Sequence, residues 1–443
     1  MNLDFSPSEL ATWVKQAWNP APPTGSITGI STDTRTLQPG NLYVALSGEH
    51  FDGHAFIDAA VKKGAIGAII QHHFKTVPLP YLSVSDPLLA LQQMATNYRK
   101  SWNGTAIGIT GSVGKTTVKE MCKAVLSRSF CTHATKGNLN NHIGLPLTIL
   151  SMPRSTTHAL FEMGMNHPGE IDCLTKMAQP TIGIITTIGA AHIEYFNSVE
   201  DIAREKGDLL KSLPPNGLAI LDAESRWFTL LKDTAPCRVA SFSMGAPADY
   251  VGRIVDEQTI EVDHHLYRLP IPGKHMLHNA LNAIVLGLES HISPEEIADG
   301  LLHFHLPPMR WEEIEIEGIR FINDAYNANP LSMRAALQTF AEQSCVGEKW
   351  VILGGMRELG KSAAQEHAQL GTFVKNLAFK RVVIIGELAH HFDPKNRYSF
   401  THFSTPEKAL PFLKKNLCVG DHVLLKASRG EHLEKITNLL MET

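Results

Sequence analysis

The residues of this chain with the clearest chemistry form the segment Gly111-Ser112-Val113-Gly114-Lys115-Thr116-Thr117. An apolar run over 106–110 predicts a strand before the segment, and apolar residues at helical spacing over 118–127 predict a helix after it. Glycines in such a loop let backbone N–H groups converge on phosphate oxygens, and the N-terminus of the helix adds partial positive charge. Lys115 is placed to reach the β- and γ-phosphates, and the Thr116 hydroxyl suits Mg²⁺. The seven residues therefore predict the ATP-binding loop of an enzyme.

Three more side chains are candidates for chemistry at the same sheet edge. Glu162 ends a predicted strand over 159–163, where a carboxylate beside a phosphate loop is well placed for Mg²⁺. His192 follows a predicted strand over 182–187, and Lys206 lies in an amphipathic helix. A lone histidine or a helical lysine is usually structural, so the residue types alone leave both roles open.

The elements that must position these residues alternate between strand and helix. Apolar runs predict strands at 25–31, 41–46, 65–70, 106–110, 159–163, 182–187, 218–221, 319–322, 350–353, 381–385 and 422–426, with a strand-like patch at 253–269. Helical patterns between them are typical of parallel, doubly wound sheets. The predicted fold is α/β in three domains. They are a small α/β domain over 1–98, a central parallel-sheet domain over 99–308 with the phosphate loop, and a Rossmann-like domain over 309–443.

Composition excludes several classes of protein. With 443 residues, the chain is too long for one hydrophobic core. Its 40 basic and 44 acidic residues give a net charge of −4, which argues against nucleic acid as a partner. The six cysteines form no CxxC pair and show no zinc spacing, so we expect reduced thiols. The sequence predicts no signal peptide and no membrane insertion. We therefore expect a cytoplasmic protein, and a monomer.

The shortened phosphate loop resembles the TGSxGKTT loop of the Mur ligases and of their relative folylpolyglutamate synthase. Four further segments resemble Mur ligase motifs, in the family's order: an asparagine-rich loop (137–146), NIGxxH (186–192), AxxKGE (202–208) and PGxHNxxNAL (272–281). The resemblance covers nearly the whole chain and implies an ATP-dependent ligase with two Mg²⁺ ions. The implied catalytic residues are Lys115, Glu162, His192 and Lys206, and the implied metal ligands are Thr116, Glu162, His192 and Lys206. Lys206 would carry a carbamate derived from CO₂.

Two parts of the chain narrow the resemblance to one branch of the family. The segment 323–333, NDAYNANPLSM, is close to the DxYNANPxSM signature. That signature is characteristic of the member that joins D-alanyl-D-alanine to a UDP-muramoyl-tripeptide in peptidoglycan synthesis. In the first domain, 30–35, 39–46 and 51–54 resemble the UDP-binding domain of that member and of the preceding ligase in the pathway.

The resemblance also implies which residues bind each substrate. ATP would contact the phosphate loop together with Asn279, Arg310 and Asp324. The UDP substrate would contact Ser31, Thr32, Asp33, Arg35, Asn138 and Asn141. The dipeptide would contact Tyr326, Asn327, Asn329, Ser332, Lys426 and Arg429. The last two are suited to a carboxylate, and a surface basic pair is the alternative.

Three positions depart from the family pattern. Met276 replaces an asparagine near the nucleotide, Gly355 stands where aspartate is usual, and Ala427 replaces a glycine in a KGSR-like segment. No acidic role can therefore be carried over to position 355.

The implied reaction has two steps. The tripeptide carboxylate attacks the γ-phosphate of ATP to give an acyl phosphate and ADP, and the dipeptide amine then displaces phosphate. Lys115 and the metal ions would neutralise the anions that these steps bring together. We expect the domains to close on their ligands and exclude water.

Three alternatives remain open from the sequence. A ligase that adds the diamino acid in the same pathway would carry a DNPR-like motif, which this sequence lacks. A folate polyglutamylating enzyme would not need the N-terminal uridine-binding unit. A nucleotide-binding regulator without catalysis would not need Glu162, His192 and Lys206.

Overall fold

The structure is a computed structural model that describes residues 3–49, 51–74, 77–377, 379–395, 397–398 and 400–442. Three large sheets follow one another along the chain. A separate two-stranded hairpin lies within the stretch of chain that forms the first of them. Each sheet is mostly parallel and packs against helices, so the predicted α/β class is confirmed.

The first sheet has the strand order β1-β7-β6-β3-β2, with β1 antiparallel to β7 and the other neighbours parallel. Its strands and those of the hairpin are β1 (Trp18–Asn19), β2 (Gly29–Ser31), β3 (Asn41–Val44), β4 (Ser47–Gly48), β5 (Phe51–Asp52), β6 (Gly67–Gln71) and β7 (Tyr81–Val84). The helices are α1 (Pro7–Val14), α2 (Ile57–Lys62) and α3 (Pro87–Lys100).

Helix α3 joins the first domain to the second. The Asp86 side chain caps its first turn, with Pro87 at the first helical position. Near its end, the buried Arg99 guanidinium donates to the backbone carbonyls of Ala178 (2.6 Å) and Gln179 (2.7 Å). The predicted limit at residue 98 falls inside this helix, and both domain limits stay predictions.

The central sheet has nine strands in the order β16-β15-β14-β13-β12-β11-β8-β10-β9, antiparallel only at β14–β16. They are β8 (Thr105–Thr110), β9 (Thr132–Ala134), β10 (His158–Glu162), β11 (Ile182–Ile185), β12 (Leu218–Asp222), β13 (Arg238–Ser243), β14 (Tyr250–Ile254), β15 (Thr259–Val262) and β16 (His265–Arg268). The helices are α4 (Lys115–Leu126), α5 (Gly144–Leu150), α6 (Glu170–Ala178), α7 (Val199–Lys211), α8 (Phe228–Thr234), α9 (Lys274–Glu289) and α10 (Pro294–Leu302).

Strand β8 lies between β11 and β10, and nearly all of it is buried because helices cover both faces of the sheet. Strands β10 and β11 both follow β8 in the chain and lie on opposite sides of it, so the strand order reverses there and a crevice forms at the carboxyl ends around the loop that follows β8. Ligands of open α/β sheets bind at such a point.

The third sheet has the order β17-β18-β22-β19-β20-β21, with only β17 antiparallel. Its strands are β17 (Glu312–Ile316), β18 (Ile319–Asn323), β19 (Lys349–Gly354), β20 (Arg381–Ile385), β21 (Thr401–Phe403) and β22 (His422–Lys426). The helices are α11 (Pro330–Glu342), α12 (Ala363–Asn376), α13 (Pro406–Asn416) and α14 (Glu434–Met441). Within the described ranges, no helix is both long and apolar enough to cross a bilayer.

Candidate active site

A cavity of about 630 Å³ is lined by residues of both the central domain and the C-terminal domain. Most of the predicted site residues line it: Ser112, Val113, Gly114, Lys115, Thr116, Thr117, Asn138, Asn141, Glu162, His192, Asn279, Arg310, Asp324, Tyr326, Asn327, Asn329, Ser332 and Lys426. Gly111, Lys206 and Arg429 are not part of its lining, nor are the four predicted residues of the first domain.

The phosphate loop turns directly from β8 into α4. Gly114 has φ 89°, and a Cβ there would lie 2.6 Å from Asn279 Oδ1, so glycine is required on both grounds. Lys115 Nζ donates to the Gly111 carbonyl (2.7 Å) across the loop. Burial lowers the pKa of Lys115, and the charge of Arg310 adds to this effect while Glu162 opposes it. The free backbone N–H groups at the start of α4 make the loop suitable for phosphate.

Glu162 is the last residue of β10, and among the residues that the structure describes only one of its two carboxylate oxygens accepts hydrogen bonds. Its Oε1 accepts from Thr116 Oγ1 (3.1 Å) and from Asn140 Nδ2 (2.8 Å). Its Oε2 is buried and has no hydrogen-bond partner within the described parts of the chain. A buried carboxylate oxygen without a donor is unfavourable, which marks this atom as an open ligand position.

A buried lysine stands behind Glu162. Lys119 lies one turn after Lys115 on α4, and its Nζ donates to the Thr135 carbonyl (2.6 Å). The same ammonium contacts Glu120 Oε1 (2.7 Å) and lies 4.0 Å from Glu162 Oε2. Lys119 and Thr135 belong to none of the motifs recognised in the sequence. Only the position of Thr135 could have indicated this site, since Thr135 directly follows β9 at the same sheet edge.

His192 contacts the C-terminal domain. Its Nδ1 lies 2.6 Å from Glu358 Oε2, although the pair does not meet the geometric criteria of a regular hydrogen bond. This contact lowers the pKa of Glu358, and burial of the carboxylate opposes the effect. Glu358 was not among the predicted site residues.

Lys206 lies on the buried face of α7, with 1% of its surface exposed. Burial lowers its pKa well below the usual value for lysine, and the charge of Lys115 adds to this effect while Glu205 opposes it. Among the described residues, its ammonium makes no hydrogen bond or ion pair. The neighbouring Glu205 is engaged elsewhere, since it accepts from the backbone N–H groups of Gly169 (2.9 Å) and Ile171 (3.1 Å). Burial and the nearby charge of Lys115 therefore favour the neutral form of this amine.

Helix α9 forms another wall of the cavity and carries Asn279. Next to it, His278 Nε2 lies 3.1 Å from Asp222 Oδ2, at the end of β12. His275 contacts Thr339 Oγ1 through Nδ1 (3.2 Å), and burial lowers its pKa to about 4. Asp222 was not selected from the sequence, although it follows the rule that residues at carboxyl strand ends meet at one edge.

The C-terminal domain closes the cavity with the loop after β18. Asp324 Oδ2 forms a 2.7 Å ion pair with the buried Lys426 Nζ, which also donates to the carbonyls of Asp324 and Asn327 (both 3.1 Å). The Arg310 guanidinium lies 4.1 Å from the ring centre of Tyr326. Arg429 instead contacts Met309 and Glu434.

Asn329 and Ser332 form the capping box at the start of α11. Each side chain bonds to the backbone N–H of the other residue, at 2.9 Å for Ser332 N and 3.0 Å for Asn329 N. Asn141 likewise accepts from Gly144 N (2.8 Å) at the start of α5. These three predicted binding residues therefore also have structural roles.

The predicted UDP-binding residues of the first domain form their own cluster outside the cavity. Asp33 accepts three hydrogen bonds from the Arg35 guanidinium at 2.7–3.0 Å, and these hold the pKa of Asp33 below its usual value. Ser31 Oγ donates to the Asp33 carbonyl (2.9 Å). Thr32 lies between them on the same loop.

The three departures from the family pattern are accommodated locally. A Cβ at Gly355 would lie 2.8 Å from Leu388 Cβ, so an aspartate there would require rearrangement. Ala427 is fully buried. Met276 is buried and lines the cavity, so it offers apolar contact where an amide would offer a hydrogen bond.

Three family models match the chain in order. They are the "Mur ligase family, catalytic domain" over residues 26–99, the "Mur ligase middle domain" over 109–287 and the "Mur ligase, glutamate ligase domain" over 309–429. Together they cover more than half of the chain.

Individual relatives agree with these matches. The UDP-N-acetylmuramoyl-tripeptide–D-alanyl-D-alanine ligase of Bacillus subtilis is 38% identical over 94% of each chain. A crystal structure of MurF from Acinetobacter baumannii is 31% identical, with a TM-score of 0.91 over 100% of each chain. The MurF ligase of Thermotoga maritima in complex with ADP is 25% identical, with a TM-score of 0.81 over 94% of this chain and 97% of that one. The chain belongs to the Mur ligase family.

Proposed function

We propose that this chain is an ATP-dependent ligase that joins D-alanyl-D-alanine to UDP-N-acetylmuramoyl-tripeptide and gives the pentapeptide, ADP and phosphate. The observation that carries the proposal is the pairing of two segments across one cavity. The phosphate loop lies on the central side, and the 323–333 segment, with Asp324, Tyr326 and Asn327, lies on the C-terminal side. Full-length relatives with that activity support it.

The cavity suits the two chemical steps. The tripeptide carboxylate attacks the γ-phosphate, which forms a carboxyl–phosphate bond and releases ADP. The dipeptide amine then attacks the carbonyl and phosphate leaves, with loss of the amine proton. Both steps bring anions together, so Lys115 and Arg310 would stabilise charge that accumulates on the phosphoryl oxygens.

The donor set suits magnesium. Thr116 and Glu162 supply oxygen ligands, and Glu162 Oε2 is the buried atom without a donor. In the part of the chain that the structure describes, no three His, Cys, Asp or Glu side chains cluster as a metal site. Magnesium usually takes few protein ligands and fills its shell with phosphates and water, so this is the pattern expected for it. The ions would lower the charge repulsion between carboxylate and triphosphate.

Lys206 would complete the site as a carbamate. Burial favours the neutral amine, which is the form that adds to CO₂, and the product would be an oxygen ligand where an ammonium would repel Mg²⁺. His192 would supply a further ligand. These assignments, two metal ions among them, are part of the proposal.

The remaining residues are assigned by substrate. Asn279 would contact the adenine of ATP and Asp324 its ribose or phosphate side, and Lys426 and Arg429 would contact the carboxylate of the dipeptide. Ser31, Thr32, Asp33 and Arg35 in the first domain would hold the UDP substrate, together with Asn138 and Asn141. We further propose that the enzyme acts as a cytoplasmic monomer.

The proposal is tested by following ADP release from the purified enzyme with ATP and Mg²⁺. We expect ADP release to require both UDP-N-acetylmuramoyl-tripeptide and D-alanyl-D-alanine. The product should be heavier than the UDP-N-acetylmuramoyl-tripeptide by the mass of the dipeptide less one water. Sustained turnover without the dipeptide, or with a diamino acid in its place, would overturn the assignment.

A further inference from the structure

His192 and Glu358 meet across the boundary between two domains. His192 follows β11 and lines the nucleotide cavity, whereas Glu358 follows β19 and lines a second cavity, of about 510 Å³, in the C-terminal domain. The 2.6 Å contact between Nδ1 and Oε2 thus joins the walls of two cavities.

Both residues have an unusual backbone. The φ of His192 is 57° and that of Glu358 is 63°, in the left-handed region that non-glycine residues seldom adopt. Such conformations persist only where surrounding structure holds them, and they concentrate at functional sites. Two of them face each other here.

The C-terminal domain also contacts the loop that carries His192 at both ends of that loop. A Cβ on Gly189 would lie 2.1 Å from Leu331 Cδ1, so Leu331 sits directly on this backbone. At the other end, Gly360 approaches Glu194 so closely that an added Cβ would lie 3.2 Å from the Glu194 Cβ. Docking of the C-terminal domain therefore fixes the loop from 189 to 194, with the His192–Glu358 contact in its middle.

We propose that Glu358 is a positioning residue for His192 and couples docking of the C-terminal domain to completion of the nucleotide site. A carboxylate against Nδ1 favours the tautomer with the proton on Nδ1, which leaves the Nε2 lone pair free as a ligand. Because Glu358 belongs to the other domain, the imidazole is oriented only in the docked arrangement. The inference rests on the proposed function, in which His192 serves the magnesium–ATP complex.

The test measures binding of a non-hydrolysable ATP analogue by calorimetry, once with Mg²⁺ and once with EDTA. Glu358→Ala is expected to weaken binding about tenfold with Mg²⁺ and less than about twofold with EDTA, the size usual for residues that orient a metal ligand. Glu358→Gln should weaken it less, because its amide oxygen still accepts from Nδ1–H. The matched control is Glu348→Gln, which removes an acid and its ion pair with Lys380 at the opposite end of β19.

A double-mutant cycle identifies the route of the effect. In a His192→Ala background, Glu358→Ala should cause no further loss if it acts through His192. Additive losses, or binding by Glu358→Ala as tight as wild type while His192→Ala binds weakly, overturn the inference and leave the proposed function standing. Unchanged Mg²⁺-dependent binding in His192→Ala overturns both the inference and the proposed role of His192.

Solution scattering separates positioning from docking. The radius of gyration of Glu358→Ala should equal that of the wild type, because the contacts of Gly189 with Leu331 and of Gly360 with Glu194 remain. An expanded variant would mean that Glu358 holds the domains together rather than orienting His192, and this outcome overturns the inference.

Discussion

Lys206 lies in an environment that is unusual for a lysine. An exposed lysine is charged, whereas burial and the nearby Lys115 favour the neutral amine here. Lys206→Ala is expected to lower kcat by about 100-fold, because the site would lose the ligand that the proposed carbamate would supply. A short-chain carboxylic acid should restore part of the activity by filling the space with an oxygen ligand. The measurement is ADP release across acid concentrations.

Lys211→Ala is the control for this variant, since Lys211 lies on the exposed side of the same helix. It should keep wild-type activity and show no response to the acid. Full activity of Lys206→Ala without any acid would contradict the carbamate.

His275 gives a pH-dependent contribution to stability. Its pKa is about 4 in the folded protein because of burial, against about 6.5 in an unfolded chain. The unfolded state therefore binds the proton first as pH falls, so stability is complete above about pH 6.5 and is lost toward pH 4. Between pH 7.5 and 5 the loss is about 2 kcal/mol. The measurement is the free energy of urea unfolding at both pH values.

His275→Gln removes the titrating group, so its stability should change by about 2 kcal/mol less than that of the wild type over this interval. The exposed His265 serves as control, and His265→Asn should follow the wild type. Equal pH dependence in His275→Gln and wild type would disprove the contribution.

At the scale of single residues, sequence reasoning found the side chains that belong to continuous motifs. Glu162 and Asn279 line the cavity as predicted. Lys119 was missed because its partners, Thr135 and Glu162, come from two other strands. Glu358 was missed because its contact with His192 depends on how two domains pack, which no local pattern encodes.

At the scale of elements, a substitution of Asn329 distinguishes a role in capping helix α11 from a role in binding the dipeptide. Asn329→Ala removes the capping box of α11 and is expected to cost about 1 kcal/mol of stability. Ser293 caps α10 in the same way, away from the cavity, so Ser293→Ala should cost about the same. If Asn329 also contacts the dipeptide, only Asn329→Ala raises the KM for D-alanyl-D-alanine. Equal KM values would leave Asn329 with the cap alone.

Most of the strands predicted from sequence lie inside sheets, although the run at 25–31 matches the edge strand β2, and the interior strands β7 and β13 were not predicted. The patterns at 319–322, 350–353, 381–385 and 422–426 match β18, β19, β20 and β22 within one or two residues. Their continuous apolar runs arise because both faces of a parallel sheet are covered. The strands β9 and β21 escaped prediction because they have three residues each and lie at sheet edges, and β17 because charged residues alternate along it.

At the scale of the whole molecule, the nucleotide cavity exists only where two domains meet. The phosphate loop and Glu162 come from the central sheet, and Asp324 and Lys426 come from the third sheet. Water hydrolyses an acyl phosphate. A site that is complete only when both domains are in place would exclude water from this intermediate. We expect ATP analogue and UDP-tripeptide together to reduce the radius of gyration.

The contact between Gly189 and Leu331 provides the sharpest test of domain docking. A valine at 189 would overlap Leu331, which packs there from α11, while the φ of Gly189 lies outside the left-handed region. Gly189→Val is therefore expected to push the half-exposed Leu331 side chain off the loop, loosen the docking of the C-terminal domain and lower kcat by about tenfold, since small misplacements of reacting groups are costly. Leu331→Ala vacates the space, so the double variant Gly189→Val/Leu331→Ala should recover most of the activity and the wild-type radius of gyration. A double variant as impaired as Gly189→Val would show that the damage lies within the central domain, beside the phosphate loop, rather than in the docking of the two domains.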